Sequence, residues 1–178
     1  MLRFATAALV AGYLAMGSGL CLAAEYPAGD PVFANGMEIG AVYLQPIEME
    51  PAGMMKPAAE TDIHLEADIH AAQDNTSGFA EGDWIPNLAI TYDLASEDGS
   101  FKVSGSFMPM VASDGPHYGD NVKLGGEGKY KLTLHIAPPG TGSHFGRHVD
   151  KETGVAEWFA PFDTSHDFIY AGTGKKGA

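Results

Sequence analysis

The sequence predicts an all-β fold, a single-domain immunoglobulin-like β-sandwich, and three observations carry that prediction. Short segments of polar/apolar alternation recur along the chain, Gly/Pro-rich turns separate them, and no helical periodicity of convincing length intervenes. With 23 Gly and 11 Pro in 178 residues, the turns delimit about seven short strands, the pattern of a two-sheet sandwich. Closed barrels and jelly rolls share this pattern and stand as alternative topologies.

At the N-terminus, Met1 and Arg3 precede an apolar run over 4–22, and Ala23-Ala24 leads into Glu25-Tyr26-Pro27. This is the pattern of a secretory signal peptide over residues 1–24, leaving 25–178 as the mature domain. The run is short for a spanning helix and nothing basic follows it, so no membrane insertion is expected after cleavage. Leu20 is too large for lipid attachment at Cys21. Removing the leader takes away the chain's one cysteine and moves the net charge from −13 to near −14. An exported domain without a disulfide must fold on packing alone, helped by a metal or a partner subunit. The acidity argues against nucleic acid and anionic membranes, and it draws cations.

Each element follows in turn. Residues 38–45 (E-I-G-A-V-Y-L-Q) read as the first strand. Residues 46–60 hold three prolines and the methionines Met49, Met54 and Met55, and read as a long loop. The strand over 61–71 alternates without a break, with Ile63, Leu65, Ala67 and Ile69 on one face and Asp62, His64, Glu66, Asp68 and His70 on the other. After a turn at 73–78, a strand over 88–94 leads through the polar turn 96–100 into a strand over 101–108. Residues 114–120 (D-G-P-H-Y-G-D) read as irregular. Residues 129–136 alternate again, a Gly/Pro-rich loop covers 138–146, and a last strand runs near 167–171. Trp84, Tyr92, Phe107, Tyr130, Trp158 and Phe159 are expected to pack the core or an interface.

The polar face of the 61–70 strand is the first candidate site, because His64-x-Glu66 presents two ligands from one rigid element. The same row would also serve as a solvated sheet face, and H-x-E alone is a frequent spacing. Met108 and Met110 end a strand, and the turn through Gly115-Pro116 brings His117 within reach of Met110. Thioether with imidazole is a soft pairing that prefers copper, although methionines also plug cores. A third cluster, His144 to Asp150, contains His148 two residues from a carboxylate that would orient it. His135 and His166 read as structural or exposed. No G-x-S-x-G elbow, P-loop, H-E-x-x-H helix or dinucleotide fingerprint is present.

These residues also carry a resemblance. The blocks D-I-H-L-E-A-D-I-H (62–70), E-G-D-W-I-P (81–86), F-M-P-M-V-A-S-D-G-P-H-Y-G (107–119) and G-R-H-V-D (146–150) resemble the bacterial periplasmic iron-transport proteins that accompany high-affinity iron permeases of the inner membrane. The resemblance spans about 26–168. It implies an immunoglobulin-like homodimer with a copper site near the subunit interface. His64, Glu66, Met110 and His117 match the family's metal-site positions. His148 matches a histidine contributed by the neighbouring subunit, with His135 the competing choice. Glu66 is expected to let the metal shift or to admit a second ion. The roles of Met49, Met54 and Met55 are not fixed by the resemblance.

The expected function is therefore a periplasmic protein that binds copper and takes part in iron uptake, with manganese a possible surrogate for iron. Binding is expected rather than enzymatic turnover. The alternatives are a copper/iron oxidoreductase using the same cluster, and a copper chaperone outside iron uptake.

Overall fold

The computed structural model describes residues 25–173; the expected signal peptide over 1–24 lies outside the described residues. Ten strands form two antiparallel sheets, and among the described residues there is no α-helix, only short 3₁₀ turns at Ala58–Glu60 and Thr141–Ser143. The first sheet holds β1 (Tyr26–Pro27), β2 (Val32–Ala34), β3 (Met37–Leu44), β4 (Ile63–Ala71), β7 (Met108–Ala112) and β8 (Gly115–Val122). Its order is β1-β3-β4-β8-β7, with β2 also paired to β3. The second holds β5 (Ala89–Ser96), β6 (Lys102–Ser106), β9 (Gly128–Ala137) and β10 (Phe162–Tyr170), in the order β10-β9-β5-β6.

The alternation read from the sequence sets the core. Ile63, Leu65, Ala67 and Ile69 of β4 are fully buried and belong to one core cluster with Tyr130, Leu132, Leu134 and Ile136 of β9 in the other sheet. Aromatic side chains tie the sheets together: Tyr43 packs on Phe168, Phe168 stacks on Tyr130, and the Tyr43 hydroxyl donates to the Ile169 carbonyl at 3.2 Å. The all-β sandwich expected from the sequence is the fold observed.

Two expectations are corrected. The strand expected over 101–108 is divided: β6 ends at Ser106 in the second sheet, Phe107 turns into the core, and β7 begins at Met108 in the first. The segment 114–120, expected to be irregular, is most of β8. Ser113 and Asp114 make a two-residue hairpin, and Gly115 takes φ 142°, a backbone geometry suited to glycine. Pro116 is tolerated because the pairing of β8 with β4 runs from Val122 only as far as Tyr118. Its missing N–H therefore breaks no bond of that ladder.

Candidate metal centre

The centre lies on the outer face of the first sheet, where β4, β8 and β7 run side by side. On β4, His64 and Glu66 point away from the core; on β8, so do His117, Gly119 and Asn121. The register places Asn121 opposite His64, Gly119 opposite Glu66, and Met110 of β7 opposite His117. Directly paired residues project to the same side of a sheet, so three strands deliver their side chains to one spot. Ligand atoms of His64, Glu66 and His117 lie within 4.8 Å of one another.

Unlike an ordinary outer sheet face, this one is buried: His64 is 0%, Glu66 5% and His117 5% exposed. The 46–57 loop makes the roof. Asn121, itself buried, accepts the Ile47 N–H at 3.2 Å and donates to the carbonyls of Ile47 at 2.8 Å and Lys56 at 2.9 Å. Both amide hydrogens are thereby spent, so the Asn121 oxygen faces His64 Nδ1 at 3.0 Å. An oxygen can only accept. His64 therefore carries its proton on Nδ1, and its Nε2 lone pair points into the centre.

His64 Nε2 is 3.5 Å and His117 Nε2 3.3 Å from Glu66 Oε1. Both nitrogens are buried and lack a hydrogen-bond partner among the described residues. The contacts are longer than charge-assisted hydrogen bonds, about 2.7–2.9 Å, and the His64–Glu66 pair is not ionic. Burial outweighs the opposite pull of the Asn121 hydrogen bond and, with a smaller contribution from His117, lowers the His64 pKa to about 4. Burial first, and then the negative field of Asp68, Glu25 and Asp114, raises that of Glu66 to about 8. At neutral pH, a neutral imidazole thus faces a protonated carboxyl.

Gly119 makes room for this arrangement. A Cβ on it would lie 2.6 Å from His64 Nε2 and 2.9 Å from Cε1, closer than atoms can pack. Beside the centre, Glu25, Asp68, His70 and Asp114 line an acidic recess that also reaches Glu66 and His117. Burial raises the pKa of Asp68, and burial together with a hydrogen bond to Asp114 raises that of Glu25. Met110 lines a larger cavity of about 880 Å³ that shares Glu66 and His117 with this recess.

The structure brings together four of the five expected ligands, His64, Glu66, Met110 and His117, in one neighbourhood. His148 stands apart within the single chain, its side chain 74% exposed and its Nδ1 2.7 Å from Thr153 Oγ1. His135 lies on the other sheet, held between Asp93 at 3.0 Å and Asp163 at 2.7 Å. His166 is buried against Thr164. Asp62 leaves the polar row of β4 to bind Lys123 and the Leu124 N–H. Sequence reasoning missed Asn121 and Gly119, which share a face with His117 once 115–122 is recognised as a strand.

The donor set, two buried imidazoles whose Nε2 atoms have no hydrogen-bond partner among the described residues, a carboxyl and a neighbouring thioether, suits a transition-metal ion that accepts both soft and hard ligands. Comparison with known proteins agrees. A family model described as Fe2+ transport protein matches residues 22–172. A UPF0423 protein of Brucella abortus (strain 2308) is 61% identical over 178 residues, covering 98% of this chain and 97% of the relative. The 34 kDa membrane antigen of Treponema pallidum (strain Nichols) is 42% identical over 139 residues, 76% of this chain and 67% of that protein. Among solved structures, a copper-bound variant of FetP from uropathogenic Escherichia coli strain F11 has a TM-score of 0.81 at 58% identity, covering 84% of this chain and 99% of that one. The copper-reconstituted P19 protein of Campylobacter jejuni gives 0.82 at 53% identity, covering 85% and 99%.

Proposed function

The chain belongs to the family of Fe2+ transport proteins, and from that membership we propose that it is a periplasmic, homodimeric protein that binds copper and takes part in iron uptake with a high-affinity permease of the inner membrane. The observation that carries this reading is the pair of buried, unpartnered Nε2 atoms of His64 and His117 converging on Glu66. A buried polar atom without a partner costs about 1–3 kcal/mol, and a bound cation repays that cost at both nitrogens. Copper-bound relatives of 58% and 53% identity support copper as one such ion.

On this reading His64, His117 and Met110 hold copper, and Glu66 adds a hard oxygen donor that suits cupric or ferrous ion. His148 of a second copy completes the coordination, which makes dimer stability and metal binding depend on each other. The mature protein is residues 25–178 after removal of 1–24. The bound ion supplies Lewis acidity and a variable charge. The protein's own residues supply the rest: Asn121 fixes the His64 tautomer, Gly119 leaves the ring its space, and Glu66 gives up its proton to receive the cation.

The test is titration of dialysed protein with cupric, ferrous and manganous ions, the last as a surrogate for iron. Cupric binding that is weakened by Met110→Leu with the fold retained is expected. Unchanged spectra and melting temperature with all three ions would overturn the proposal. A deletion strain that grows poorly only under iron limitation supports the role in iron uptake; sensitivity to copper alone would move the protein to copper buffering.

A further inference from the structure

The methionines are placed where packing does not need them. Of those outside residues 1–24, Met37 alone belongs to the buried core, while Met49, Met54, Met55, Met108 and Met110 lie off it. Methionine ordinarily fills gaps in cores, yet Met54 is 50% exposed. Three of the five sit within seven residues of the loop that roofs the metal centre.

Met49 and Met54 share the 880 Å³ cavity with Met110, and Glu66 and His117 also line it. Thioethers from two separate elements, the 46–57 loop and the edge strand β7, thus line one space together with His117 and Glu66. The loop is fixed there by the Asn121 amide, which binds Ile47 near one end and Lys56 at the other while also holding His64. Neutral sulfur donors do little for a hard divalent ion, but they suit a soft monovalent one. Glu48 and Glu50 line the same cavity and add an attractive field for any cation.

We propose that Met49, Met54 and Met110 form a thioether site for cuprous ion at the mouth of this cavity, above the imidazole–carboxylate position and sharing Met110 with it. The inference goes beyond the function proposed above. It concerns a second ion position and a different oxidation state, and it stands or falls on separate measurements.

The experiment is an anaerobic competition titration of the purified protein with cuprous ion against a chromophoric chelator, with cupric titrations run in parallel. In the Met49→Leu/Met54→Leu double variant, cuprous affinity is expected to fall about tenfold or more, while cupric affinity stays within about twofold of the parent. X-ray absorption on the cuprous-loaded His64→Ala/His117→Ala variant is expected to show more than one sulfur neighbour, because the thioether site does not use those rings. Unchanged cuprous affinity in the double variant, or a shell with one sulfur or none, would overturn the proposal. Should the double variant melt early, Met54→Leu alone decides: its side chain is half in solvent, and the same loss of cuprous affinity is required. Absence of cupric binding in the parent would count against the proposed function and leave this inference standing.

Discussion

Gly119→Ala adds one methyl group at the point where the sheet leaves room for a ligand. The new Cβ would sit 2.6 Å from His64 Nε2 and 3.2 Å from the Leu65 carbonyl oxygen. Gly119 lies in β8 opposite Glu66 and shows no positive φ, so alanine fits its backbone and the effect is steric alone. The His64 ring cannot swing freely aside, because it is fully buried and anchored through Nδ1 to Asn121. Overpacking of this kind costs about 1–3 kcal/mol, and breaking the Asn121 bond leaves a buried group unsatisfied at a further cost of about 1–3 kcal/mol. Stability by denaturant titration should therefore fall by roughly 2–6 kcal/mol. Cupric affinity, measured by competition on the folded fraction, should drop about ten- to a hundredfold. Unchanged stability and affinity would show that His64 is free to move and that its place in the centre is wrongly assigned.

Further outcomes follow from neighbouring residues. Asn121→Leu removes the partner of His64 Nδ1 and both tethers of the 46–57 loop; a loss of about 1–3 kcal/mol for each buried group left unsatisfied is expected, with faster hydrogen exchange at Ile47. Tyr118 is fully buried and its hydroxyl donates to the Ile85 carbonyl at 2.8 Å while accepting from the Leu88 N–H at 2.9 Å; Tyr118→Phe should cost about 1–3 kcal/mol by chemical denaturation and leave metal affinity unchanged. Burial lowers the pKa of His166 below its usual 6.5. A lowered folded value gives stability that is full above pH 6.5 and lost as the pH falls below it, so His166→Gln should flatten the acid limb of the melting profile; the opposed shifts of His64 and Glu66 offset each other between about pH 4.5 and 6.5 and add no net slope there. His135 works in the opposite sense. Its bonds to Asp163 and Asp93 raise its pKa, so its contribution is full below pH 6.5 and fades as the pH rises through the folded value. On so exposed a group the effect on thermal stability should be about 0–1 kcal/mol.

The strands with one apolar and one polar face were legible because burial on a single face imprints a period of two. Residues 129–136 and 61–71 both show it, and β9 and β4 match them within a residue or two. The failure at 114–120 has the same physical root. β8 is buried on both faces, by the core beneath Tyr118 and by the roofing loop over Asn121, so its alternation is erased and its Gly and Pro dominate the pattern. With β8 unread, Gly119 and Asn121 could not be aligned with His117. His64, Glu66, Met110 and His117 were nevertheless singled out, because their residue types are rare on a sheet face and their blocks carry a family resemblance, and the structure places them in one neighbourhood. His148 stands apart from them within the single chain, and its place in the centre is part of the proposed dimer.

The centre combines fixed and adjustable parts, and its β4 pair, His64 and Glu66, is held uncharged. His64 and Glu66 stand on β4, the middle strand of its sheet, whose inward residues from Ile63 to Ile69 have no exposure at all. Such a strand cannot shift without disturbing the whole core, so the nitrogen and oxygen donors keep their spacing. Met110 is on the edge strand β7, and the loop methionines hang from a roof held by one amide; the soft donors can therefore adapt. Burial keeps His64 neutral and Glu66 protonated at neutral pH, which spares the fold an unpaired charge in a dry site. The negative field that would attract a cation comes instead from the acidic recess, where Glu25 and Asp114 share a proton in their hydrogen bond beside Asp68, and from the net −13 of the chain. On the proposed function, attraction and coordination reside in different residues, and exchange of the Glu66 proton for the cation would link the two.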